Sequence, residues 1–272
     1  MVTFRPIPFV LAATNHGTMI VNRNDYHMID SQRGFGVGYQ IFNSSSCEHE
    51  EVSFVVALLS LRKKYYGNDV LGLDCGANIG THTIEWAKHM HGWGKVISFE
   101  AQQRIYYALA GNIAINNCLN ATAHWAAVGS ENTNIKIPVP NYLVPASFGS
   151  LELKQSNSNE FIGQNINYSD DAMSVVAQKT IDSFDFSRVD VIKIDVEGME
   201  IDVLNGAAET IKRCKPIMLI EIIKTDKAKV ESFLYENGYQ VFPMGINLLA
   251  IHQSDLGVNH ISVGENSINL SI

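Results

Sequence analysis

The chain has 272 residues, 46% of them hydrophobic and 18% charged, with a formal net charge of −8 at pH 7. This composition is typical of a globular protein with a large core, and the negative charge argues against a protein that grips a nucleic-acid backbone. No apolar run has the length of a membrane span. The four cysteines are scattered without a C-x-x-C pair, which indicates buried thiols in a reducing compartment, so we expect a cytoplasmic location.

The first 45 residues contain two short β-like pieces, Phe9–Ala13 and Met19–Asn22, with turn residues between them. Alternate glycines over residues 34–38 indicate a flexible or tightly turned stretch. We therefore expect residues 1–45 to form an N-terminal extension that serves either substrate choice or dimer contacts. Residues 46–272 are expected to form the main domain.

A long amphipathic helix is predicted next. Ser45 followed three residues later by Glu48 fits a capping box, in which the two side chains satisfy free amides at the helix start. Apolar residues then recur at helical spacing as far as Gly67, where we expect the helix to end.

The stretch V-L-G-L-D-C-G-A-N-I-G over residues 70–80 is an apolar strand that ends in Asp74 and runs into a small-residue turn. Gly76 and Gly80 allow the backbone to turn tightly and approach a ligand, and a helix opens near Thr81. The spacing is neither the G-x-G-x-x-G of dinucleotide sites nor a phosphate-binding loop. An acid without a basic neighbour suits a ligand with positive charge, such as S-adenosylmethionine. The alternative is a turn that merely joins a strand to a helix.

Three further predicted strands also end in acids, at Glu100, Asp195 and Glu221. The carboxyl ends of parallel strands lie along one edge of a sheet, where ligands bind, so these acids should meet there. Glu100 lies twenty residues past Gly80, near the position where an acid binds the ribose hydroxyls of adenosine-type ligands.

The segment 132–173 differs from its surroundings because it is rich in Asn and Ser and lacks clear periodicity. It follows a predicted strand at Ala121–Trp125 and precedes the strand that ends at Asp195, so it should lie over the ligand edge. We interpret it as a lid-like insertion on the substrate side, with a plain surface insertion as the alternative. Toward the carboxyl end, a helix over 228–237 precedes strands over 239–242 and 247–251, joined by a turn at 243–245.

These motifs resemble the FkbM family of S-adenosylmethionine-dependent methyltransferases over about residues 70–222. The matching stretches are L-D-C-G-A-N-I-G-T-H-T at 73–83, I-S-F-E at 97–100, T-I-D at 180–182, K-I-D-V-E-G-M-E at 193–200, V-L-N-G-A at 203–207 and L-I-E at 219–221. One departure stands at 101–103, where this chain has A-Q-Q and the family usually has prolines, a change that could alter the loop on the adenosine side.

The alternation of strands and helices predicts an α/β fold with a parallel sheet and helices on both faces. The resemblance implies more: a Rossmann-like, doubly wound, mostly parallel sheet of about seven strands, closed by the antiparallel hairpin. It also implies a set of cofactor-binding residues from the glycine loop, the second strand end, the turn near the adenine ring and the later strand end. These residues are Asp74, Gly76, Ala77, Asn78, Gly80, Thr81, Glu100, Ala101, Ala127 and Asp195.

Methyl transfer to a hydroxyl needs a group that takes the hydroxyl proton. We expect Asp195, Glu197 and Glu221 to be catalytic, with Asp195 favoured because its strand end should face the cofactor's methyl group. Glu197 fits a helix-capping role equally well. His82 and His124 are further candidate bases, with a surface or packing histidine as the alternative for His82 and a satisfied core histidine as the alternative for His124. Asp195 and Glu221 could together hold a divalent cation such as Mg²⁺.

The predicted function is therefore S-adenosylmethionine-dependent O-methylation of a hydroxyl on a sugar, a glycan or a small natural product, an acceptor class that the resemblance implies. One alternative is an NAD-dependent oxidoreductase, but the glycine spacing and the lack of a Tyr-x-x-x-Lys pair count against it. Another is an inactive scaffold that binds the cofactor. The expected partner is the small-molecule or glycan acceptor, and no nucleic-acid partner is expected. The sequence does not decide whether the protein forms a homodimer.

Overall fold

In the computed structural model, which describes residues 5–264 and 268–271, the chain begins with a small unit of two strand pairs and two helices. These are the pair β1 (Phe9–Thr14) and β2 (Gly17–Asn22), the pair β3 (His27–Met28) and β4 (Gly34–Phe35), and the helices α1 (Val37–Ser44) and α2 (His49–Tyr66). The two β-like pieces predicted for this region are confirmed. In the stretch expected to be flexible or tightly turned, β4 is joined to the start of α1 by a turn at Gly36, whose φ is 126°.

The predicted capping box is wrong. Ser45 has a φ of 59° and ends α1, with its N–H donating to the carbonyl of Ile41 at 2.8 Å. Glu48 is also left-handed, with a φ of 52°, and immediately precedes α2, which no side chain caps at its first turn. The sequence spacing fits the motif, but the backbone of Ser45 is used to close the preceding helix. The end of the long helix at Gly67 is confirmed.

The remaining elements alternate between strands and helices through most of the chain. They are β5 (Val70–Cys75), α3 (Thr81–His89), β6 (Gly94–Glu100), α4 (Gln103–Ile115), β7 (Ala121–Trp125), β8 (Ala127–Val128), β9 (Thr133–Pro138), β10 (Met173–Lys179), β11 (Val191–Ile194), α5 (Glu200–Asn205), α6 (Ala208–Cys214), β12 (Ile217–Glu221), α7 (Lys227–Glu236), β13 (Tyr239–Met244), β14 (Asn247–His252), β15 (Ile261–Val263) and β16 (Ile268–Leu270). Short 3₁₀ turns lie at Phe148–Ser150, Ile181–Phe184 and Leu256–His260.

Seven strands form the central sheet in the order β13-β14-β12-β11-β5-β6-β7. The neighbouring strands from β12 to β7 are parallel, and β14 runs antiparallel to both of its neighbours. The predicted Rossmann-like α/β fold with its closing hairpin is therefore confirmed. The next strand in the chain, β6, lies on one side of β5, whereas β11 and β12 lie on the other side of β5. The loops that follow β5 and β11 consequently diverge and leave a crevice at the carboxyl edge.

The hairpin turn lies later than the sequence predicts. Pro243 pairs with Leu248 and Met244 with Asn247, so both residues belong to β13 and the turn consists of the two residues after them. A proline is tolerated there because β13 is an edge strand and needs no further amide donor on its outer side.

Alternation along the buried strands sends side chains to both faces of the sheet. In β12, Ile217 and Leu219 join a core cluster with helices α2, α3 and α4, whereas Met218 and Ile220 join a second cluster with α5, α6 and α7. The helices thus cover both faces, as a sheet made of largely apolar strands requires. Within the described ranges, none of the helices is both long and apolar enough to cross a membrane.

The segment 132–173 has more regular structure than its sequence suggests. It contains β9 and reaches the start of β10, and these two strands pair antiparallel while β10 pairs parallel with β8. The resulting three-stranded side sheet lies apart from the central one. Six residues of β9 were too few to give a clear alternating pattern beside the long Asn- and Ser-rich loop.

A buried ion-pair network joins α2 to the central sheet. Arg62, near the end of α2, points inward: its Nε contacts Asp190 Oδ1 at 3.0 Å and its Nη1 contacts Asp255. Arg188 Nε reaches the other oxygen of Asp190 at 2.8 Å, and that oxygen also accepts the N–H of Leu71 at 2.9 Å. Asp190 is fully buried, so its charge depends on these partners.

Substitution of Asp190 should therefore destabilise the fold strongly. In Asp190→Ala, Arg62 keeps its buried charge and loses one of its two carboxylates, which costs about 3–5 kcal/mol of unfolding free energy. Urea denaturation followed by circular dichroism measures the change. The exposed Asp185→Asn is the control and should stay within about 0.5 kcal/mol of wild type. Equal stability of the two variants would show that the ion-pair network does not stabilise the fold.

Candidate active site

A cavity of about 360 Å³ opens at the carboxyl edge of the central sheet, where the loops after β5 and β11 diverge. This is within the size range of small-molecule sites. All four strand-end acids line it, namely Asp74, Glu100, Asp195 and Glu221. The other predicted site residues in its lining are Gly76, Ala77, Asn78, Thr81, Ala101, Ala127 and Glu197. Gly80 is the one predicted cofactor-binding residue that is not among the lining residues.

The glycine loop packs directly on the residue that follows β11. Gly76 has a φ of 84°, and a Cβ added there would lie 1.7 Å from the carbonyl oxygen of Asp195. Only glycine can occupy this position. Gly80 has a φ of 94° and turns the chain into α3, where an added Cβ would meet Leu109 at 2.6 Å. Gly80 therefore shapes the loop without lining the cavity.

Asp74 presents one free oxygen at the floor of the cavity. It is almost fully buried, and its Oδ2 accepts the hydroxyl hydrogen of Thr83 at 2.6 Å. Within the described ranges its Oδ1 has no hydrogen-bond partner. A buried carboxylate oxygen without a donor suits a cationic or hydrogen-donating ligand group.

Glu100 is held by backbone amides on both sides. Its Oε2 accepts the N–H of Asn78 at 3.0 Å, and its Oε1 accepts the N–H of Gln102 at 2.7 Å. Burial raises the pKa of Glu100 to about 7, although these two hydrogen bonds act in the opposite direction. Each carboxylate oxygen can accept a further hydrogen bond, so the side chain is oriented to receive a pair of hydroxyls.

At the other end of the cavity, three carboxylates crowd together. Asp195, Glu197 and Glu221 each offer an oxygen, and these atoms all lie within 4.8 Å of one another. Lys193 Nζ contacts Asp195 Oδ2 at 2.7 Å, and Lys224 Nζ contacts Glu197 Oε2 at 2.8 Å. Among the described residues, no side chain forms an ion pair or a hydrogen bond with the carboxyl of Glu221. Burial, followed by the charges of Asp195 and Glu197, raises the pKa of Glu221 to about 9.

The three carboxylates could hold a divalent cation, since oxygen ligands at this spacing suit Mg²⁺ or Ca²⁺. The structure adds Glu197 to the pair predicted from the sequence, Asp195 and Glu221. Lys193 and Lys224 already neutralise two of these three carboxylates. The cation site stays a prediction.

The two histidines proposed as bases have different surroundings. His82 is buried, lines the cavity, and places its Nε2 3.2 Å from both Glu48 and Glu51. Burial lowers its pKa, but the two carboxylates outweigh burial and raise the pKa of His82 to about 9. His82 is therefore a cation at neutral pH and a poor base. His124 stacks on Phe99 at 5.3 Å between ring centroids and is not part of the cavity lining, which fits the alternative of a packed histidine rather than a base.

Several cavity residues lie outside the predicted set. They are Phe35, Val37, Gln40 and Glu48 from the N-terminal region, Gln102, Lys193, Ile223 and Lys224 from the sheet edge, and Ser147, Gly149, Ser150, Leu151, Leu153 and Glu160 from the insertion. Lys193 had a signal in the sequence, because a lysine inside an otherwise apolar strand needs a buried partner. Gln102 lies in the A-Q-Q departure, and the residues of the insertion lie in a segment predicted to cover the ligand edge, but the sequence did not single out their side chains.

Lys224 connects three walls of the cavity. Its Nζ donates to the carbonyl of Ser150 at 2.7 Å and contacts Glu160 Oε2 and Glu197 Oε2, each at 2.8 Å. The insertion is thereby fixed against the loops that follow β11 and β12. The role of the insertion as a lid stays a prediction. The insertion lines the cavity, as a lid would.

Comparison with known proteins gives a consistent family assignment. A family model described as the methyltransferase FkbM domain matches residues 74–241, more than half of the chain. Methyltransferase 1 of Beauveria bassiana (strain ARSEF 2860) is 24% identical over 207 residues, which cover 70% of this chain and 82% of that protein.

Two solved methyltransferase structures match this chain at low sequence identity and with TM-scores below 0.5. Methyltransferase FkbM from Methylobacillus flagellatus KT is 18% identical with a TM-score of 0.48, covering 79% of this chain and 54% of its own. This chain thus spans about half the length of that protein. Precorrin-6y C5,15-methyltransferase from Geobacter metallireducens GS-15 is 13% identical with a TM-score of 0.41, covering 76% and 90% of the two chains.

The contact between Gly76 and Asp195 predicts a severe effect of Gly76→Ala. The added Cβ would overlap the Asp195 carbonyl, so the loop must move away from the cavity and ligand binding should be lost. Calorimetric titration with S-adenosylhomocysteine measures binding. Gly67→Ala is the matched control, since Gly67 has a φ of 76° but open space around it. The control should lose about 1–2 kcal/mol of stability and retain binding; retained binding in Gly76→Ala would show that the loop does not shape the site.

The ion pairs of His82 predict a pH-dependent contribution to stability. Its pKa in the fold, about 9, lies above the value of about 6.5 expected in the unfolded chain. The contribution is therefore fully present below pH 6.5 and lost as the pH rises through about 9. The stability difference between wild type and His82→Gln should shrink over this window by up to about 3 kcal/mol. Urea denaturation at several pH values tests this, with the exposed His91→Gln as control; a pH-independent difference would exclude the ion pairs as its cause.

Proposed function

The chain belongs to the FkbM family of S-adenosylmethionine-dependent methyltransferases, and we propose that it methylates a hydroxyl oxygen of a sugar, a glycan or a small natural product. The observation that carries this proposal is the meeting of the glycine loop and all four strand-end acids in one cavity. Family membership leaves the NAD-dependent alternative without support. An inactive scaffold is the remaining alternative, and turnover decides between the two.

The cavity residues fit the cofactor. Asp74 offers a buried, unpartnered oxygen for an ammonium, and Glu100 offers two oriented oxygens for ribose hydroxyls. Gly76 keeps the backbone beside Asp195 free of any side chain. When bound, S-adenosylmethionine supplies a methyl group on a sulfonium leaving group. The protein then contributes alignment, exclusion of water and removal of the acceptor's proton.

Among the predicted bases, the charge pattern favours Glu221 over Asp195. Burial raises the pKa of Asp195, but its ion pair with Lys193 opposes that rise and occupies one of its oxygens. Glu221 has no such cation, and burial together with the neighbouring carboxylates raises its pKa to about 9. Such a group is a stronger base than an ordinary glutamate once it is ionised. We assign proton removal to Glu221 and alignment of the acceptor hydroxyl to Asp195.

The acceptor end of the cavity favours neutral or amine-bearing molecules over anions. Its acids include Glu160, Glu197 and Glu221, whereas its two lysines are already engaged by carboxylates. No arginine is among the lining residues in the described part of the chain. A phosphorylated or carboxylated acceptor would therefore meet uncompensated negative charge. Apolar faces of a sugar ring or a polyketide can pack on the hydrophobic lining residues, which include Phe35, Val37, Leu151 and Ile223.

The N-terminal extension and the insertion together line the acceptor end of the cavity, and we call them the acceptor wall. Phe35, Val37 and Gln40 line the cavity, so we assign the extension to substrate choice rather than to dimer contacts. A nucleic-acid acceptor does not fit the net charge of −8, which would repel a phosphate backbone.

An acceptor screen tests the function directly. We expect mass spectrometry with S-adenosylmethionine carrying a deuterated methyl group to detect O-methylation of neutral or amino sugars, and none of their phosphates. Turnover should survive EDTA, because Lys193 and Lys224 already balance two of the three crowded carboxylates. Loss of turnover with EDTA and recovery with Mg²⁺ would instead establish the predicted cation site. No methylation of any hydroxyl compound would favour the scaffold.

The pH dependence tests the assignment of the base. Only ionised Glu221 can take a proton, so the turnover number should rise about tenfold per pH unit below the pKa of about 9 and then level off. The bound sulfonium would move this point to lower pH. Initial rates at saturating cofactor between pH 6 and pH 10 give the profile.

Substitutions distinguish the proposed roles of Glu221 and Asp195. Glu221→Gln should lower turnover by about 10²–10⁴-fold and abolish the pH dependence. Asp195→Asn should reduce turnover more than it reduces affinity for S-adenosylhomocysteine. The exposed Glu131→Gln serves as control and should match wild type. A wild-type pH profile in Glu221→Gln would rule out Glu221 as the base.

A further inference from the structure

Gln102 lies where this chain departs from the family's usual sequence, in the A-Q-Q that follows the acid of the second strand. It is buried and lines the cavity. Its backbone N–H donates to Glu100 Oε1 at 2.7 Å. A proline at this position would lack that donor and the side chain beyond it.

The side chain of Gln102 links the cofactor edge to the insertion. Its Nε2 donates to the carbonyl of Phe148 at 2.8 Å, and its Oε1 accepts the hydroxyl hydrogen of Tyr142 at 3.0 Å. Both groups belong to one packed unit, because the rings of Tyr142 and Phe148 lie 4.8 Å apart. One buried amide thus uses its donor and its acceptor to hold two points of the insertion.

The same unit also holds the N-terminal extension. The carbonyl of Tyr142 accepts hydrogen bonds from the side chains of Asn22 and Asn24, at 3.1 and 3.2 Å. The N–H of Phe148 donates to Asp25 Oδ1 at 3.0 Å. Whatever positions Tyr142 and Phe148 therefore positions both parts of the acceptor wall.

The acceptor wall also contacts the glycine loop after β5 at a second point. Gly149, directly after Phe148, lines the cavity, and a Cβ added to it would lie 2.8 Å from Asn78 Nδ2. Asn78 itself donates its N–H to Glu100 Oε2 at 3.0 Å. Glu100, Gln102, the turn at Phe148 and Asn78 thus form a closed ring of contacts around the adenosine side of the cavity.

We propose that Gln102 is a positioning residue that couples cofactor binding at Glu100 to the ordering of the acceptor wall at residues 142–151. A ligand that engages Glu100 fixes the loop carrying Gln102, and Gln102 then fixes Tyr142 and Phe148. Coupling of this kind is reciprocal, so loosening the wall must weaken cofactor binding. The proposal rests on the proposed function in one respect, that the cofactor binds at Glu100.

The test uses full-length wild type, Gln102→Met, Gln103→Met and Tyr142→Phe. Methionine keeps the length of glutamine and the backbone N–H but removes both side-chain hydrogen bonds. Gln103 is the matched control, since it is the adjacent glutamine and its side chain does not line the cavity. Tyr142→Phe breaks the same link from the insertion side without touching Glu100. Calorimetry with S-adenosylhomocysteine gives affinity, and hydrogen–deuterium exchange over residues 140–151, with and without that ligand, reports the wall.

In wild type, S-adenosylhomocysteine should slow exchange over residues 140–151. Gln102→Met should weaken binding by about tenfold and Tyr142→Phe by about threefold, as expected for two and one lost hydrogen bonds. Both variants should lose the ligand-dependent protection, and Gln103→Met should behave as wild type. In the double variant the two losses should be less than additive, because both break one link.

Two results would overturn the coupling while leaving the proposed function intact. One is ligand binding to wild type with no change of exchange over residues 140–151. The other is wild-type affinity and protection in both Gln102→Met and Tyr142→Phe. A purely structural role of Gln102 would raise exchange equally with and without ligand, which also contradicts the proposal. No binding of S-adenosylhomocysteine to wild type would remove the proposed function together with the coupling.

Discussion

The close approach of the glycine loop to the end of β11 is the constraint on which the site depends. Gly76 lies so near the carbonyl of Asp195 that no other residue fits, and its φ of 84° favours glycine independently. The approach follows from sheet order, because β5 and β11 are neighbours and the N–H of Asp195 donates to the carbonyl of Cys75 at 3.0 Å. Since the two loops then diverge, the acids that end four parallel strands surround one crevice.

Gathering acids in a buried crevice costs free energy, and the fold offsets most of it with cations drawn from the same edge. Lys193 pairs with Asp195, Lys224 with Glu160 and Glu197, and His82 with Glu48 and Glu51. Glu221 has no such partner among the described residues, and burial together with the charges of Asp195 and Glu197 raises its pKa to about 9, which is the basis of the proposal that it removes the acceptor's proton.

The acceptor side is built from parts of the chain that are distant in sequence. The N-terminal extension supplies Phe35 and Gln40, and Lys224 and Gln102 fasten the insertion to the sheet edge. The insertion supplies Ser147, Gly149, Ser150, Leu151 and Glu160. Under the proposed function, substrate choice would vary with the extension and the insertion while the sheet edge stays the same. This arrangement is common in α/β enzymes, whose loops carry specificity on a fixed scaffold.

The sequence predicts the sheet and its acids well because strand ends obey a local rule: an apolar run followed by an acid and a turn places that acid at the carboxyl edge. Asp74, Glu100, Asp195 and Glu221 all lie there. Prediction fails or stays open where tertiary contacts decide. Ser45 has the spacing of a capping residue but closes α1, His124 faces an aromatic cluster rather than the cavity, and the contacts of Gln102 with Tyr142 and Phe148 depend on packing across about 40 residues.

Calorimetric titration of the wild-type protein with S-adenosylhomocysteine, with NAD run in parallel, tests the central claim most directly. The glycine spacing, the free oxygen of Asp74 and the oriented carboxylate of Glu100 predict saturable binding of one S-adenosylhomocysteine per chain and no binding of NAD. Binding of NAD alone, or of neither molecule, would contradict the assignment of this cavity to S-adenosylmethionine.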